Sequence, residues 1–312
     1  MPRVGILAAA DGWHVEALGR ALTLAGCEIV RCDPTRLLGR IGTDSGIAAA
    51  TPTPVRPARA APAGSAATST VPLERLDALL VRLIPPGSLD QIVFRIDALH
   101  LLADRGVLLM NSPRCLERSI DKHWTSRLLH EAGVPTPRTL VAERAADALP
   151  AFREMGDVLV KPLLGSGGRG IFRVSDEDHA WRAFRALEQQ RAVIYLQEFI
   201  PHGRSDLRLF VVEGRVLAAA RRHGRDWRSN VAAGASAVAH RASPEQEDAA
   251  LRAASAVGSD YAGVDLLEAE DGRLLVTEVN GIPGWAALQG TTKIDIAAAV
   301  ARLVVTRLEA RR

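Results

Sequence analysis

A lysine followed by four glycines stands near the middle of this 312-residue chain and could bind phosphate. The segment reads KPLLGSGGRG, with Lys161 at its start and glycines at Gly165, Gly167, Gly168 and Gly170. Closely spaced glycines leave backbone amides open to an anion, although they cost backbone entropy on folding. A lysine on the preceding strand would add a compact positive charge. The segment therefore suits a flap that folds over the phosphates of a nucleotide.

The secondary structure predicted on either side of this loop distinguishes among the protein families that share its G-x-G-x-x-G spacing. DVLVKPLL before the glycines and GIFRV after them both predict strands. A dinucleotide-binding turn requires a helix directly after the glycines. A protein-kinase loop requires its lysine on a later strand, yet no lysine occurs between 161 and 293. The pattern G-K-[ST] of a Walker loop is also absent, and a hairpin without a ligand remains open.

An acidic hairpin forms the second candidate site. The segment GVDLLEAEDGRLLVTEVN predicts two strands joined by its D-G pair as a two-residue turn. In that register Asp265 faces Glu278, and Asn280 follows on the same face of the sheet. Opposed like charges are unfavourable unless a cation lies between them, and hard oxygen ligands suit Mg²⁺. The alternatives are that one carboxylate is solvated at a sheet edge, or that a bulge changes the pairing.

Arginines near this hairpin form the third group. Four of them lie on or between the preceding predicted strands: Arg208, Arg221, Arg222 and Arg228. Arginine is the ordinary surface cation of this chain, whose only lysines are Lys122, Lys161 and Lys293. Guanidinium groups also clamp phosphates and carboxylates, so part of the group is expected beside an anionic substrate.

The elements that must position these residues alternate between strands and helices. Residues 1–112 predict β-α-β units, and hence a small doubly wound parallel sheet of the α/β class. Residues 42–72 are rich in Ala, Pro, Gly and Thr without a period, which predicts a flexible insertion. Two α+β subdomains are expected to follow, 113–190 with the glycine flap and 191–312 with the acidic hairpin.

Composition excludes several classes of protein. The chain is 47% hydrophobic and 24% charged, and no stretch approaches the roughly 20 apolar residues of a membrane span. Its three cysteines form no C-x-x-C pair, which favours a reducing cytoplasm. A net charge of +3 without a basic helix or aromatic platform argues against nucleic acid as a partner. A homo-oligomer is left open.

The ordered set of motifs resembles the ATP-grasp ligases, and among them the RimK-like family. The motifs are the lysine before a glycine flap, QEFI, D-x-R, RSN, GVD and EVN, over about residues 113–305. The resemblance implies two α+β subdomains that clasp ATP, after an α/β domain. The first-domain insertion and the segment AARR, which lacks an acid before its arginine pair, depart from the family pattern.

The resemblance also implies a nucleotide site. Lys122 and Lys161 would hold the phosphates of ATP beneath the glycine flap. Glu198 and Phe199 would line the adenine, and Asp206 would lie at the ribose. The phosphates would also be contacted by the RSN motif, which is Arg228, Ser229 and Asn230.

The same resemblance implies the groups that serve the reaction. Two Mg²⁺ ions, with Mn²⁺ as an alternative, would be bound by Asp265, Glu278 and Asn280. The transferred phosphoryl group or the acceptor carboxylate would be contacted by the catalytic set Arg208, Arg221, Arg228 and Asn230.

The family implies an enzyme that joins a carboxylate to an amine through an acylphosphate, with release of ADP. The expected amine is L-glutamate, and the expected acceptor is a pterin such as a tetrahydromethanopterin precursor, or a protein C-terminus. The alternative is a nucleotide-binding regulatory protein with an inactive site. The sequence leaves open the acceptor, the number of residues added, the oligomeric state and any general base.

Overall fold

The structure is a computed structural model that describes residues 1–9, 12–42, 45–51, 70–165, 167–227 and 236–311. Contacts between Cα atoms divide it into two compact units. The first unit comprises residues 1–116 and 295–312, and the second comprises residues 117–294. The predicted boundaries at 112 and 190 stay predictions. The final residues, expected in the last subdomain, group here with the first unit.

The first unit contains the predicted parallel sheet. Its strands are β1 (Arg3–Leu7), β2 (Glu28–Cys32), β6 (Ala78–Val81) and β7 (Leu108–Met110), in the order β2-β1-β6-β7. All three neighbouring pairs are parallel, as the alternation of strands and helices predicted. The helices of this unit are α1 (Trp13–Leu24), α2 (Leu89–Asp104) and α9 (Ile296–Glu309), and α9 packs against α1.

The flexible insertion predicted over residues 42–72 is corrected in part by a small antiparallel sheet. Its strands are β3 (Leu37–Arg40), β4 (Gly46–Ala50) and β5 (Thr70–Pro72), with β4 in the centre. Ile47, Ala49 and Ala50 are buried. Apart from Ile47, β4 consists of glycine and alanine, whose burial gives no clear hydrophobic period. Residues 52–69 lie outside the described residues.

The boundary between the two units falls within the first of two consecutive helices. Helix α3 (Pro113–Ile120) ends before Asp121, and α4 (Lys122–Glu131) begins after it. The Asp121 carboxylate accepts hydrogen bonds from the backbone N–H groups of His123 and Trp124, at 2.8 and 3.0 Å. This is an N-cap, and it places Lys122 at the first position of α4.

Two antiparallel sheets carry the candidate site within the second unit. The flap sheet has the order β10-β9-β11-β8, and its strands are β8 (Thr139–Ala142), β9 (Val158–Lys161), β10 (Phe172–Val174) and β11 (Ile194–Glu198). Helices α5 (Ala145–Met155) and α6 (Glu177–Gln189) cover one face with an apolar core. Because side chains alternate along a strand, Leu159 and Lys161 face away from that core.

The acidic sheet has the order β14-β13-β12-β15-β16. Its strands are β12 (Ser205–Val212), β13 (Arg215–His223), β14 (Ser236–Ala239), β15 (Tyr261–Glu268) and β16 (Leu274–Asn280). Helix α7 (Pro244–Val257) packs against it, and the short α8 (Ala286–Gln289) contacts β13 and β14. Among the described residues, no helix combines the length and the apolar composition needed to cross a lipid bilayer.

Candidate active site

A cleft in the second unit brings most of the predicted site residues together. It is lined from the flap sheet, the acidic sheet and the start of α4. The predicted residues that line it are Lys122, Lys161, Gly165, Gly167, Gly168, Glu198, Phe199, Asp206, Asp265 and Glu278. Residues separated by more than 150 positions in sequence thus share one cavity.

The glycine flap has the strand-loop-strand context that the sequence predicted. Strands β9 and β10 are antiparallel, with Phe172 opposite Val160. Gly165, Gly167, Gly168 and Gly170 all have positive φ, between 71° and 138°. Residues with a Cβ rarely adopt this conformation, so the glycines are needed for the path of the loop. A dinucleotide-binding turn is excluded because no helix follows the glycines.

Lys122 contacts the flap directly. Its Nζ donates a hydrogen bond of 2.9 Å to the carbonyl oxygen of Gly165. A lysine at the first position of a helix is unfavourable beside the positive end of the helix dipole. Burial lowers the pKa of Lys122, against the attraction of Glu278 and Asp121, which raises it. A cation held in such a place is well situated to meet an anionic ligand.

Lys161 lies at the end of β9 on the cleft side of the flap sheet. Its Nζ donates a hydrogen bond of 2.5 Å to Oε1 of Gln197 on β11. Burial lowers the pKa of Lys161 to about 8, because the charged form loses hydration. Glu278 and Asp265 raise this pKa again, whereas Lys122 lowers it.

The acidic hairpin has the predicted pairing but not the predicted turn. Asp265 pairs with Glu278, and Gly263 pairs with Asn280. Beyond Asp265 the register shifts by one residue, so that Leu266 pairs with Val276. The turn is longer than the predicted two residues, because the N–H of Ala269 donates to the carbonyl of Arg273. The longer turn and the bulge offset each other, and the opposition of the two carboxylates is confirmed.

Two arginines neutralise Asp265. Its Oδ1 lies 2.6 Å from Nε of Arg208 and 3.1 Å from an Nη atom of Arg222. Arg222 also binds Asp206 in a bidentate pair, with distances of 2.6 and 2.5 Å. Burial lowers the pKa of Arg222, but Asp265 and Asp206 outweigh it and raise that pKa. These four groups form a buried cluster whose formal charges cancel.

The position predicted for Arg221 is corrected. Arg221 and Arg222 are neighbours on β13, so their side chains point to opposite faces of the sheet. Arg221 pairs with Glu268 on the face away from the cleft, with an N–O distance of 2.7 Å. Arg222 lines the cleft instead. Counting alternate positions from Asp206, its partner across the strands, could have identified Arg222 from the sequence.

The predicted adenine-lining residues have other contacts as well. The Glu198 carboxylate pairs with Arg138, with an Nε–Oε2 distance of 3.0 Å. The guanidinium of Arg173 lies 3.6 Å from the ring centroid of Phe199, a cation–π contact. Trp227 meets Phe199 edge to face and also lines the cleft. Both residues are therefore present at the cleft.

Several predicted roles lie outside what the structure describes. The RSN motif, residues 228–230, falls in an undescribed segment. Gly170, the last glycine of the flap, is described but is not among the residues that line the cleft, and a Cβ there would lie 3.1 Å from Pro162. Residues that sequence reasoning missed are Tyr195, Gln197 and Trp227.

The donor set for a metal is two carboxylates and an amide. In the described residues, no group of three His, Cys, Asp or Glu side chains could hold an ion. Asn280 donates through Nδ2 to the carbonyl of Gly263 at 3.3 Å. Oxygen donors of this kind suit Mg²⁺, which commonly completes its shell with water and substrate phosphates. The set fits Mg²⁺ at Glu278, and at Asp265 only in competition with Arg208 and Arg222.

Comparison with known proteins identifies the family. Residues 119–304 match the family model of the RimK-like ATP-grasp domain, which is more than half of the chain. The chain belongs to the RimK-like ATP-grasp family. The predicted family is thereby confirmed.

Named relatives of this RimK-like protein are ligases. It is 35% identical over 232 residues to the tetrahydromethanopterin:alpha-L-glutamate ligase of Methanocaldococcus jannaschii, covering 72% of this chain and 78% of that relative. It is also 35% identical over 209 residues to the protein of that name from Methanosarcina acetivorans, covering 63% of this chain. That alignment spans 64% of the relative, which is less than two thirds of its length. The prediction of an ATP-dependent ligase agrees with these names.

Solved structures share the fold over almost the whole chain. The ATP-grasp ligase PsnB, complexed with a minimal precursor, has a TM-score of 0.71 at 21% identity, with 98% of this chain and 99% of that chain covered. A RimK domain ATP-grasp protein from Sphaerobacter thermophilus has a TM-score of 0.69 at 23% identity, with 97% and 99% covered. The predicted α/β fold class with an ATP-grasp part is therefore confirmed.

Proposed function

We propose that this protein is an ATP-dependent carboxylate–amine ligase that adds L-glutamate to an acceptor carboxylate. The observation that carries this proposal is the cleft itself. It gathers two lysines, a glycine flap and an opposed pair of carboxylates on two facing sets of strands. The names of the glutamate-ligase relatives support the choice of amine.

The lysines and the flap would bind the nucleotide. Lys161 and Lys122 place two ammonium groups in one cleft, where phosphate oxygens would offset their mutual repulsion. Lys122 already holds the flap through the Gly165 carbonyl. Phosphate binding at this lysine would therefore act on the flap, and a closed flap excludes water from a reactive intermediate.

The charged side chains of the acidic sheet would serve phosphoryl transfer. The acceptor carboxylate attacks the γ-phosphorus of ATP, which yields an acylphosphate and ADP. The amine nitrogen then attacks the acyl carbon, phosphate leaves, and the nitrogen loses a proton. Arg208 and Arg222 would offer positive charge to the anions that meet in the first step if Mg²⁺ binding releases Asp265 from them. Bound Mg²⁺ would supply further charge neutralisation, and Asp265, Glu278 and Asn280 are the residues to hold it.

The acceptor is the finer part of the proposal. Relatives named for tetrahydromethanopterin favour a reduced pterin that ends in a carboxylate. A peptide C-terminus is the second candidate, favoured by structural relatives whose complexes contain precursor peptides. The regulatory alternative, an inactive ATP-grasp site, is disfavoured because both lysines and all three metal oxygens are retained.

The test is ADP release in the presence of Mg²⁺, with each component omitted in turn. We expect ADP to appear only when ATP, L-glutamate and an acceptor are all present, and the acceptor mass to rise by glutamyl residues. Tetrahydromethanopterin and a peptide that ends in glutamate are the acceptors to compare. ATP binding without ADP release from any amine and acceptor would favour the regulatory alternative. A protein that does not bind Mg-ATP would contradict both.

A further inference from the structure

A chain of polar side chains runs through the flap sheet from Lys161 to helix α4. Gln197 accepts a hydrogen bond from Lys161 through Oε1, and its Nε2 lies 3.4 Å from the hydroxyl of Tyr195. That hydroxyl lies 2.8 Å from Oγ of Ser126 on α4. A second bond of 3.3 Å joins Nε2 of Gln197 to Oγ1 of Thr139.

Strand register explains why these groups meet. Lys161 on β9 pairs with Tyr195 on β11, and Gln197 pairs with Thr139 on β8. Tyr195 and Gln197 are two residues apart, so both side chains lie on the cleft face. Gln197 thereby reaches Lys161 diagonally on one side and Thr139 directly on the other.

Burial makes the orientation of Gln197 specific. Its side chain is 2% exposed, so each polar atom needs a partner within the protein. The amide nitrogen of Gln197 donates to the hydroxyls of Thr139 and Tyr195, which leaves Oε1 directed at Lys161. The reversed amide would put an N–H donor against an ammonium group, and both would lose a bond.

We propose that Gln197 is a positioning residue for Lys161 in the binding of the nucleotide phosphates. This inference rests on the proposed function, since it assumes that Lys161 meets those phosphates. Gln197 fixes the ammonium group at one point of the cleft without cancelling its charge, as a carboxylate would. Through Tyr195 and Ser126 it also ties Lys161 to α4, whose first residue is Lys122. The polar chain thus sets the spacing of the two ammonium groups.

The experiment compares Mg-ATP affinities, by calorimetry, of the full chain and its variants. We expect Gln197→Leu to weaken ATP binding by about 10–100-fold, the range of a lost hydrogen bond to a charged group. Gln197→Glu keeps the acceptor oxygen but would cancel the charge of the ammonium group, so it should also weaken ATP binding. The matched control is Gln246→Leu, another buried glutamine, which caps α7 and should lower the melting temperature without changing ATP affinity.

A double-mutant cycle separates positioning from a merely structural role. In a Lys161→Ala background, Gln197→Leu should have no further effect on ATP affinity, because the group it positions is gone. An equal loss in both backgrounds, or no loss in wild type, would overturn the proposal. Tyr195→Phe provides the same test if Gln197→Leu does not fold, since it removes only one of the two hydroxyls that orient the amide. Wild-type protein that binds no Mg-ATP would instead overturn the proposed function, and the role of Gln197 with it.

Discussion

At the residue scale, some charged side chains of the cleft neutralise one another, whereas another carboxylate lies outside that group. Asp206, Asp265, Arg208 and Arg222 balance one another in a buried cluster. Glu278 stands outside that cluster and acts on Lys122 and Lys161 through space, raising the pKa of each. Glu278 is therefore the carboxylate most available to a cation brought by the substrate.

Glu278→Gln should abolish turnover and leave the fold intact. We expect a loss of at least about 10²–10³-fold in turnover, since a metal ligand carries more charge than one hydrogen-bond donor. The free energy of unfolding without ligands should change by less than about 0.5 kcal/mol, because the side chain is opposed to Asp265. Steady-state ADP release and calorimetric melting measure the two effects.

The control for this variant is Glu268→Gln, on the opposite face of β15, where Glu268 pairs with Arg221. It should retain turnover. Strong destabilisation by Glu278→Gln together with normal Mg-dependent turnover would show that Glu278 has a structural role only.

The lowered pKa of Lys161 predicts how stability and ATP affinity depend on pH. Its pKa in the folded protein is about 8, below the 10.5 of an unperturbed lysine. Between these values the unfolded chain binds a proton that the folded protein lacks, so this residue makes the free energy of unfolding rise with pH. ATP binding needs the charged form, so affinity should fall as pH rises through about 8.

Calorimetric ATP titrations from pH 7 to 10 test this prediction. Lys161→Arg is the control, because arginine stays charged throughout that range and its affinity should vary less with pH. An identical fall in both proteins would assign the titration to another group.

At the element scale, the flap depends on glycines with positive φ. Gly170→Ala should cost about 1–2 kcal/mol of stability through backbone strain, and it also crowds Pro162. We expect ATP affinity to fall as well, because the flap must keep its path over the phosphates. Thermal melting and ATP titration give the two values.

Gly214→Ala is the matched control for the flap. Gly214 has a φ of 69° in the turn between β12 and β13, and a Cβ there meets nothing within 4 Å. It should lose similar stability and keep ATP affinity. Equal affinities of the two variants would count against the flap as part of the nucleotide site.

Strand β4 also makes a prediction at this scale. Ile47→Ala should lower the free energy of unfolding by about 2 kcal/mol, because the side chain is 7% exposed in the central strand of its sheet. Ile41→Ala changes a fully exposed isoleucine nearby and should cost less than about 0.5 kcal/mol. Denaturant unfolding measures both losses. Equal losses in the two variants would support the interpretation of a flexible segment.

At the scale of the whole molecule, the described lining of the cleft belongs to one of the two units. Leu80→Ala, in the parallel sheet of the first unit, empties a fully buried position. We expect it to lower the melting temperature through a loss of about 2–5 kcal/mol. ATP affinity, measured well below that temperature, should stay within twofold of wild type. A parallel fall in affinity would show that the first unit contributes to the nucleotide site.

Much of this organisation could be predicted from local sequence. Alternating strands and helices predicted the parallel sheet, and the strand-forming residues around the glycines predicted the flap. The pairing of Asp265 with Glu278 was also predicted, although the turn was wrong by one residue and the bulge restored the register. The split between α3 and α4 is not evident from hydrophobic spacing, because a single capping aspartate interrupts a segment that otherwise has helical spacing. The roles of residues 228–230 stay predictions.

The sequence by itself determined the types of chemistry present, because glycine conformations, strand periods and the order of motifs are local properties. It determined that lysines, arginines and hard oxygen ligands occur in the order of an ATP-grasp protein. Only the tertiary structure decided which of those charges neutralise one another. The pairing of Asp265 with two arginines, the placement of Arg222 rather than Arg221 at the cleft, and the contact of Gln197 with Lys161 all depend on register between strands. Register is fixed by long-range packing of the sheets, which no short segment of the chain specifies.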